Sequence, residues 1–304
     1  MAINWNGVFP AVTTAFFENG NLDLNTFRNN IEAQIEAGVD GIIIGGSLGE
    51  SSTITHDERL QLLHASIQQS DGRVPSLLNI AEGATLTAIE LARKAEENGA
   101  DGLMVLPPMM YKPTDDETVA HFKAIAESTS LPILLYNNPV DYKVEITLEM
   151  FEEFLPYENI QAVKESTRDI SNVTRLKNKF GDRFKILCGV DTLAMEELVM
   201  GADGWVAGLV DAFPAETVAI FRLIQAGRFD EALKIYRWFL PLLELDINPQ
   251  LIQNIKLAQV YTELGTEHVR APRMKLTGAE RARVINIIEE GLRTRPELPD
   301  YLNI

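Results

Sequence analysis

Three helical stretches of this chain end in nearly the same five residues: Ala37–Gly41 reads AGVDG, Asn98–Gly102 reads NGADG and Met200–Gly204 reads MGADG. In each, the first glycine suits a left-handed helix stop, and the residues after the second glycine enter an apolar run of strand character. A helix-to-strand turn met three times predicts a repeating βα unit. Such a unit has few ways to bury its faces, because parallel strands need crossover helices and those helices cover the sheet.

The remaining pattern fills in the repeat. Strands are predicted at Gly7 to Thr14, Gly41 to Gly45, Pro75 to Ile80, Gly102 to Leu106, Pro132 to Tyr136, Ile160 to Lys164, Phe184 to Gly189 and Gly204 to Ala207. They are dense in Val, Ile and Leu without strict alternation, as parallel strands covered by helices are. Leu24 to Ala37 and Thr85 to Asn98 carry apolar residues at helical spacing. Eight units fit a TIM (β/α)8 barrel better than an open sheet. No glycine-rich phosphate loop follows the first strand, which argues against a dinucleotide cofactor. After Ala207 only helical patterns remain, at Pro214 to Ala226, Phe229 to Leu245, Pro249 to Leu264 and Thr277 to Thr294. The first completes the barrel, giving an expected division into a barrel over 1–226 and a C-terminal helical extension over 227–304 packed on it.

Charge narrows the partners. Lys plus Arg number 27 against 44 for Asp plus Glu, a net charge of -17. Neither nucleic acid nor an anionic membrane surface suits such a surface, whereas a small anion held by a few local donors does. The one cysteine, Cys188, allows no intrachain disulfide, and with four scattered histidines it gives no metal-ligand spacing. No metal or other cofactor is expected. The opening Met1-Ala2-Ile3-Asn4-Trp5-Asn6 lacks a positive stretch before an apolar core, so no leader is expected and a cytoplasmic location follows by default.

Chemistry in such a barrel gathers where strands end at their C-terminal face. Strand two ends in Gly45-Gly46-Ser47-Leu48-Gly49-Glu50, strand five in Tyr136-Asn137-Asn138-Pro139, strand six in Val163-Lys164-Glu165-Ser166. A lysine closing an apolar strand can face a desolvated pocket, which lowers its pKa and makes the amine a nucleophile; it can equally be a solvated charge or a partner for Glu165. Tyr136 reads as a core aromatic or as a phenol that moves protons beside Lys164. The glycine-rich turn can expose amides to a carboxylate or be an ordinary βα connection. Together the three make a Schiff-base site. Among lesser features, Glu50 is expected to cap or pair with the following helix, Asp191 to cap the next helix, and Cys188 to be a small buried residue. His268, Arg270 and Arg273 read as packing or ion-pairing residues.

These strand ends resemble the dihydrodipicolinate synthase/N-acetylneuraminate lyase family of class I aldolases. The likeness runs from Gly7-Val8-Phe9-Pro10 through the helical tail. The family's Gly-Ser/Thr-Thr-Gly-Glu loop is similar to Gly46-Ser47-Leu48-Gly49-Glu50. Its Tyr-Asn-X-Pro motif is similar to Tyr136-Asn137-Asn138-Pro139, and its lysine strand to Ile160 through Ser166. The resemblance implies a homo-oligomer, tetramer or dimer. It implies Lys164 as the nucleophile that forms a Schiff base with pyruvate or a related 2-oxo acid, and Tyr136 as general acid/base. It further implies Gly46, Ser47, Leu48, Asn138, Asp141 and Val206 as substrate-binding positions.

Three departures bear on the substrate. Leu48 stands where the family has a second hydroxyl, and Asp141 where the synthases carry an arginine for the second substrate. Met109 and Met110 stand where they carry a tyrosine pair, with Tyr111 one place along. The loop Gly46-Ser47-Leu48-Gly49-Glu50, the run Tyr136-Asn137-Asn138-Pro139 and the strand Gly204-Trp205-Val206-Ala207-Gly208-Leu209-Val210 are most similar to a subgroup acting in hydroxyproline breakdown, the 1-pyrroline-4-hydroxy-2-carboxylate deaminases. The expected reaction is therefore opening and deamination of a cyclic 2-imino acid. The alternatives are condensation of pyruvate with aspartate semialdehyde, another pyruvate-dependent aldolase reaction such as that of N-acetylneuraminate lyase, or non-catalytic binding of a 2-oxo acid.

Overall fold

The computed structural model describes residues 3–304, so Met1 and Ala2, the start of the stretch read for a leader, lie outside the described residues. Eight parallel strands form one sheet: β1 (Gly7–Pro10), β2 (Ile42–Ile44), β3 (Ser76–Ile80), β4 (Gly102–Val105), β5 (Ile133–Asn137), β6 (Ile160–Glu165), β7 (Lys185–Cys188) and β8 (Gly204–Ala207). From β2 to β8 each strand pairs with the next in sequence, and β8 pairs with β1. A bridge between Ala11 and Ile43 joins the remaining edges, which makes the sheet a TIM barrel.

The helices are α1 (Leu24–Glu36), α2 (His56–Ser70), α3 (Thr85–Glu97), α4 (Asp115–Ala126), α5 (Pro139–Tyr142), α6 (Leu148–Glu153), α7 (Ser171–Phe180), α8 (Ala194–Val199), α9 (Pro214–Gln225), α10 (Phe229–Leu243), α11 (Leu251–Tyr261) and α12 (Gly278–Arg293). The sequence places the barrel strands to within a few residues. The first is the exception: it stops at Pro10 rather than Thr14. Beyond Ala11 the chain leaves the sheet, and Thr13 turns to the C-terminal elements, its amide reaching Asp211 Oδ1 at 3.3 Å and its hydroxyl Gln259 Oε1 at 2.9 Å.

The recurrent turn has a physical reason. Gly38, Gly99 and Gly201 all adopt left-handed φ, at 90°, 83° and 101°. The aspartate two residues on then caps the start of an adjacent strand. Asp40 Oδ2 accepts from Val8 N at 2.8 Å, Asp101 Oδ2 from Ser76 N at 2.9 Å and Asp203 Oδ2 from Ile186 N at 2.9 Å. Each strand-entry amide, which the parallel ladder leaves open, is satisfied by the same device.

Strand periodicity sorts the side chains into two cores. Phe9, Ile43, Leu77, Met104, Leu134, Ala162, Leu187 and Val206 fill the barrel interior, while Val8, Ile42, Leu78, Val163 and Ile186 pack outward under the helices. After Ala226 the helices lie against this barrel. Phe239 of α10 meets Phe213 at 5.6 Å between ring centroids, Trp238 Nε1 donates to Gly291 O of α12, and Lys256 of α11 bonds Glu50.

Candidate active site

Period two fixes the site before any loop is considered. Ala162 and Leu134 face the barrel interior, so Lys164 and Tyr136, two residues further along β6 and β5, face the same way at the barrel's C-terminal mouth. The register pairs Tyr136 directly with Lys164. The Lys164 side chain is only 7% exposed, and its amine lies 4.2 Å from the centre of the Tyr136 ring. Burial holds the amine pKa below the ordinary lysine value, against the pull of Tyr142, Asp246 and Asp191. Nothing larger than glycine fits beside it: a Cβ on Gly189 would stand 2.6 Å from Lys164 Cγ and 2.1 Å from Ser166 Oγ. Glu165 points the other way, into the helix layer, where it accepts from Thr167 N at 2.7 Å and Asn172 Nδ2 at 2.8 Å. It is therefore not the partner of Lys164 that one reading of the sequence allowed.

Tyr136 is buried, which pushes its phenol up to about 12. Its hydroxyl accepts from Asn138 Nδ2 at 3.3 Å, and the same amide group donates to Asp141 Oδ2 at 2.7 Å. Asn138 Oδ1 accepts from Asp141 N, capping the short helix α5. Tyr136, Asn138 and Asp141 are thus one bonded unit. Opposite them the turn after β2 opens at Gly45, φ 68°. Within it Glu50 N donates to Ser47 O and Ser51 N to Gly46 O, so the Ser47 and Leu48 amides meet no backbone acceptor among the described residues. Gly46, Ser47, Leu48, Tyr136, Asn138, Asp141, Lys164 and Val206 all line one cavity.

Three further cavity residues gave no sequence signal. Tyr142, at the end of α5, sets its ring edge-on to Tyr136 with centroids 5.4 Å apart and its hydroxyl against Ser47 Oγ. Arg168 lies exposed beyond β6 at φ 65° and makes no ion pair or hydrogen bond among the described residues. Asp246, in the turn after α10, covers Gly208, where a Cβ would stand 2.6 Å from Asp246 Oδ1; burial raises its carboxyl well above the usual range. All three come from connections whose direction depends on tertiary packing.

Two expectations need correction. Glu50 does not serve the following helix, which is capped by the reciprocal Thr55–Glu58 box. It is wholly buried and bonds Lys256 Nζ at 2.5 Å and Arg270 N at 3.0 Å, because the α11 region closes over the turn. Asp191 caps no helix of its own. It accepts from Trp205 Nε1 at 2.9 Å and Leu209 N at 2.8 Å, tying the end of β7 to the end of β8. Cys188 is buried, with burial pushing its thiol up. Arg270 pairs with Glu58, as the ion-pairing expectation has it. Met109 is half-buried and Met110 and Tyr111 are exposed, and none of them lines the cavity.

The sequence model of the dihydrodipicolinate synthetase family matches residues 4–291. The chain belongs to this family. A 4-hydroxy-tetrahydrodipicolinate synthase of Exiguobacterium sibiricum is 33% identical over 288 residues, 94% of this chain and 96% of that one. The solved 4-hydroxy-tetrahydrodipicolinate synthase from Methylacidiphilum fumariolicum SolV superposes with a TM-score of 0.90 at 29% identity, covering 95% of this chain and 96% of that one. A monomeric dihydrodipicolinate synthase variant superposes with a TM-score of 0.88 at 26% identity, covering 94% of this chain and 96% of that one. The fold is therefore that of a dihydrodipicolinate synthetase family member over about 95% of the chain. Among the described residues no helix is long and apolar enough to cross a membrane, and no group of three or more His, Cys, Asp or Glu is placed to hold a metal.

Proposed function

We propose that this chain is a class I lyase in which Lys164 forms a Schiff base with a small 2-oxo or 2-imino acid. The observation that carries the reading is the desolvated Lys164 amine at the barrel mouth, against the Tyr136 ring and in one cavity with the Gly46–Leu48 turn. A lowered amine pKa leaves more of the neutral nucleophile at neutral pH. The acid's carboxylate would take the Ser47 hydroxyl and the open turn amides, which sets its C2 carbon toward Lys164. Tyr136, fixed by Asn138, supplies a phenol for proton transfer.

For the second substrate, the family relatives support 4-hydroxy-tetrahydrodipicolinate synthase chemistry, in which pyruvate condenses with aspartate semialdehyde, over the deaminase. Asp141 occupies the synthase arginine position, but Arg168 offers an unpaired cation at the cavity rim for a second carboxylate. The deaminase reading draws on Asp141, which puts an acidic side chain where the synthases carry an arginine for the second substrate's carboxylate. The enzyme would act in the cytoplasm. It would assemble as a homo-oligomer, tetramer or dimer, although one structural relative is a monomeric variant.

A paired assay decides the substrate. Condensation of pyruvate with aspartate semialdehyde, without ammonia release from the hydroxylated pyrroline carboxylate, is the expected result. Ammonia release alone would establish the deaminase instead. Binding of 2-oxo acids with neither activity would reduce the chain to a binding protein.

A further inference from the structure

We infer that Tyr142 is a second acid–base residue of this site, working with Ser47 as a proton pair contained wholly within one chain. The inference rests on the Schiff-base reading above. The two cavity phenols are placed differently. Tyr136 turns its ring face to the Lys164 amine, and its hydroxyl accepts from Asn138, which leaves its own proton for the transfer proposed above but places it away from the carboxylate turn. Tyr142 turns its hydroxyl into the cavity and onto Ser47 Oγ, the one side-chain hydroxyl of that turn within the cavity. Its ring is locked edge-on against Tyr136, and Pro139 and the Asn138 cap fix the short helix that carries it. The sequence spacing that delivers it is the turn Asn138 to Tyr142, closed by Tyr142 N donating to Asn138 O at 3.0 Å.

Electrostatics agree with this placement. Burial raises the Tyr142 phenol above its ordinary value, and the Ser47 hydrogen bond and then the Lys164 charge offset part of that rise. A positive charge at Lys164 therefore favours the phenolate, which is the coupling an acid–base partner of an iminium requires.

The steps balance with these groups alone. The neutral Lys164 amine forms the C–N bond to C2 of the 2-oxo acid. The C2–O π pair moves to oxygen, which takes the Tyr142 proton, and the proton shed by Nζ returns to the phenolate through Ser47. A second proton from Tyr142 goes to the carbinolamine hydroxyl; the C–O bond breaks, water leaves, and an iminium and a phenolate remain. That phenolate then removes a proton from C3 and gives the neutral enamine.

The test uses pyruvate with the full chain. Tyr142→Phe should retain the borohydride-trapped pyruvate adduct at long incubation. Its exchange of pyruvate methyl protons with deuterium oxide, followed by NMR, should slow by about 10²–10³-fold. Ser47→Ala should slow exchange comparably, and the double variant should be little slower than either single one. A role confined to packing would instead move folding or KM and leave exchange per adduct unchanged. Exchange within a few-fold of the parent in Tyr142→Phe, with the adduct formed, overturns the inference while leaving the Schiff base standing. Failure of the parent chain to form any adduct overturns the Schiff-base reading and this inference with it.

Discussion

Lys164 owes its environment to parity. It stands two residues beyond Ala162, which fills the barrel interior, so it must point inward where a charge is unwelcome. A shift of one place would put it with Glu165 under the helices. Strand parity is also why Lys164 and Tyr136 were legible in the sequence, whereas Tyr142, Arg168 and Asp246 were not: no periodicity governs a loop residue. A buried titratable group away from the site shows the same desolvation in a cleaner form. His121 of α4 is 3% exposed, its Nδ1 meets Thr85 Oγ1 at 3.0 Å, and burial lowers its pKa from 6.5 to about 4. The folded state holds this imidazole neutral while the unfolded chain protonates it below pH about 6.5. Stability from this residue is therefore full above that value and is lost as pH falls toward 4, by roughly 3 kcal/mol in all. His121→Asn should flatten the acid side of the stability profile measured by urea unfolding. An unchanged difference between pH 7 and pH 4 would show that the ring is not held neutral.

At the level of elements, the repeated turn does more than end helices. Asp40, Asp101 and Asp203 each close the first or second amide of a neighbouring strand at the barrel's N-terminal face, opposite the site. Asp40 also accepts from Arg222 at 2.8 Å. Asp40→Ala should cost about 1–3 kcal/mol, the range for leaving a buried amide without its charged acceptor. It should leave the pyruvate adduct untouched, and thermal unfolding beside adduct formation checks both halves. The echo that made the fold legible is thus a stability device rather than a catalytic one, as its place at that face implies. Legibility failed where an element is decided from outside itself. The end of β1 is set by Asp211 and Gln259, far along the chain, and the β5–β6 connection splits into α5 and α6 around Asn137, whose side chain binds Ile146 N and O.

In the whole molecule the helical tail completes the mouth of the barrel rather than hanging from it. Asp246 and Leu251 line the site from that tail. The buried Glu50–Lys256 bond ties the tail to the turn proposed as the carboxylate cradle. Losing one partner of such a pair would strand a buried charge beside that turn. All of this converges on one nitrogen atom. The most direct measurement is reduction with borohydride in the presence of pyruvate, followed by peptide mass mapping of the intact chain and of Lys164→Arg. The account predicts a single pyruvate adduct on Lys164 and none in the variant, whose guanidinium stays charged. An adduct on another lysine, or none with any small 2-oxo acid, would contradict it.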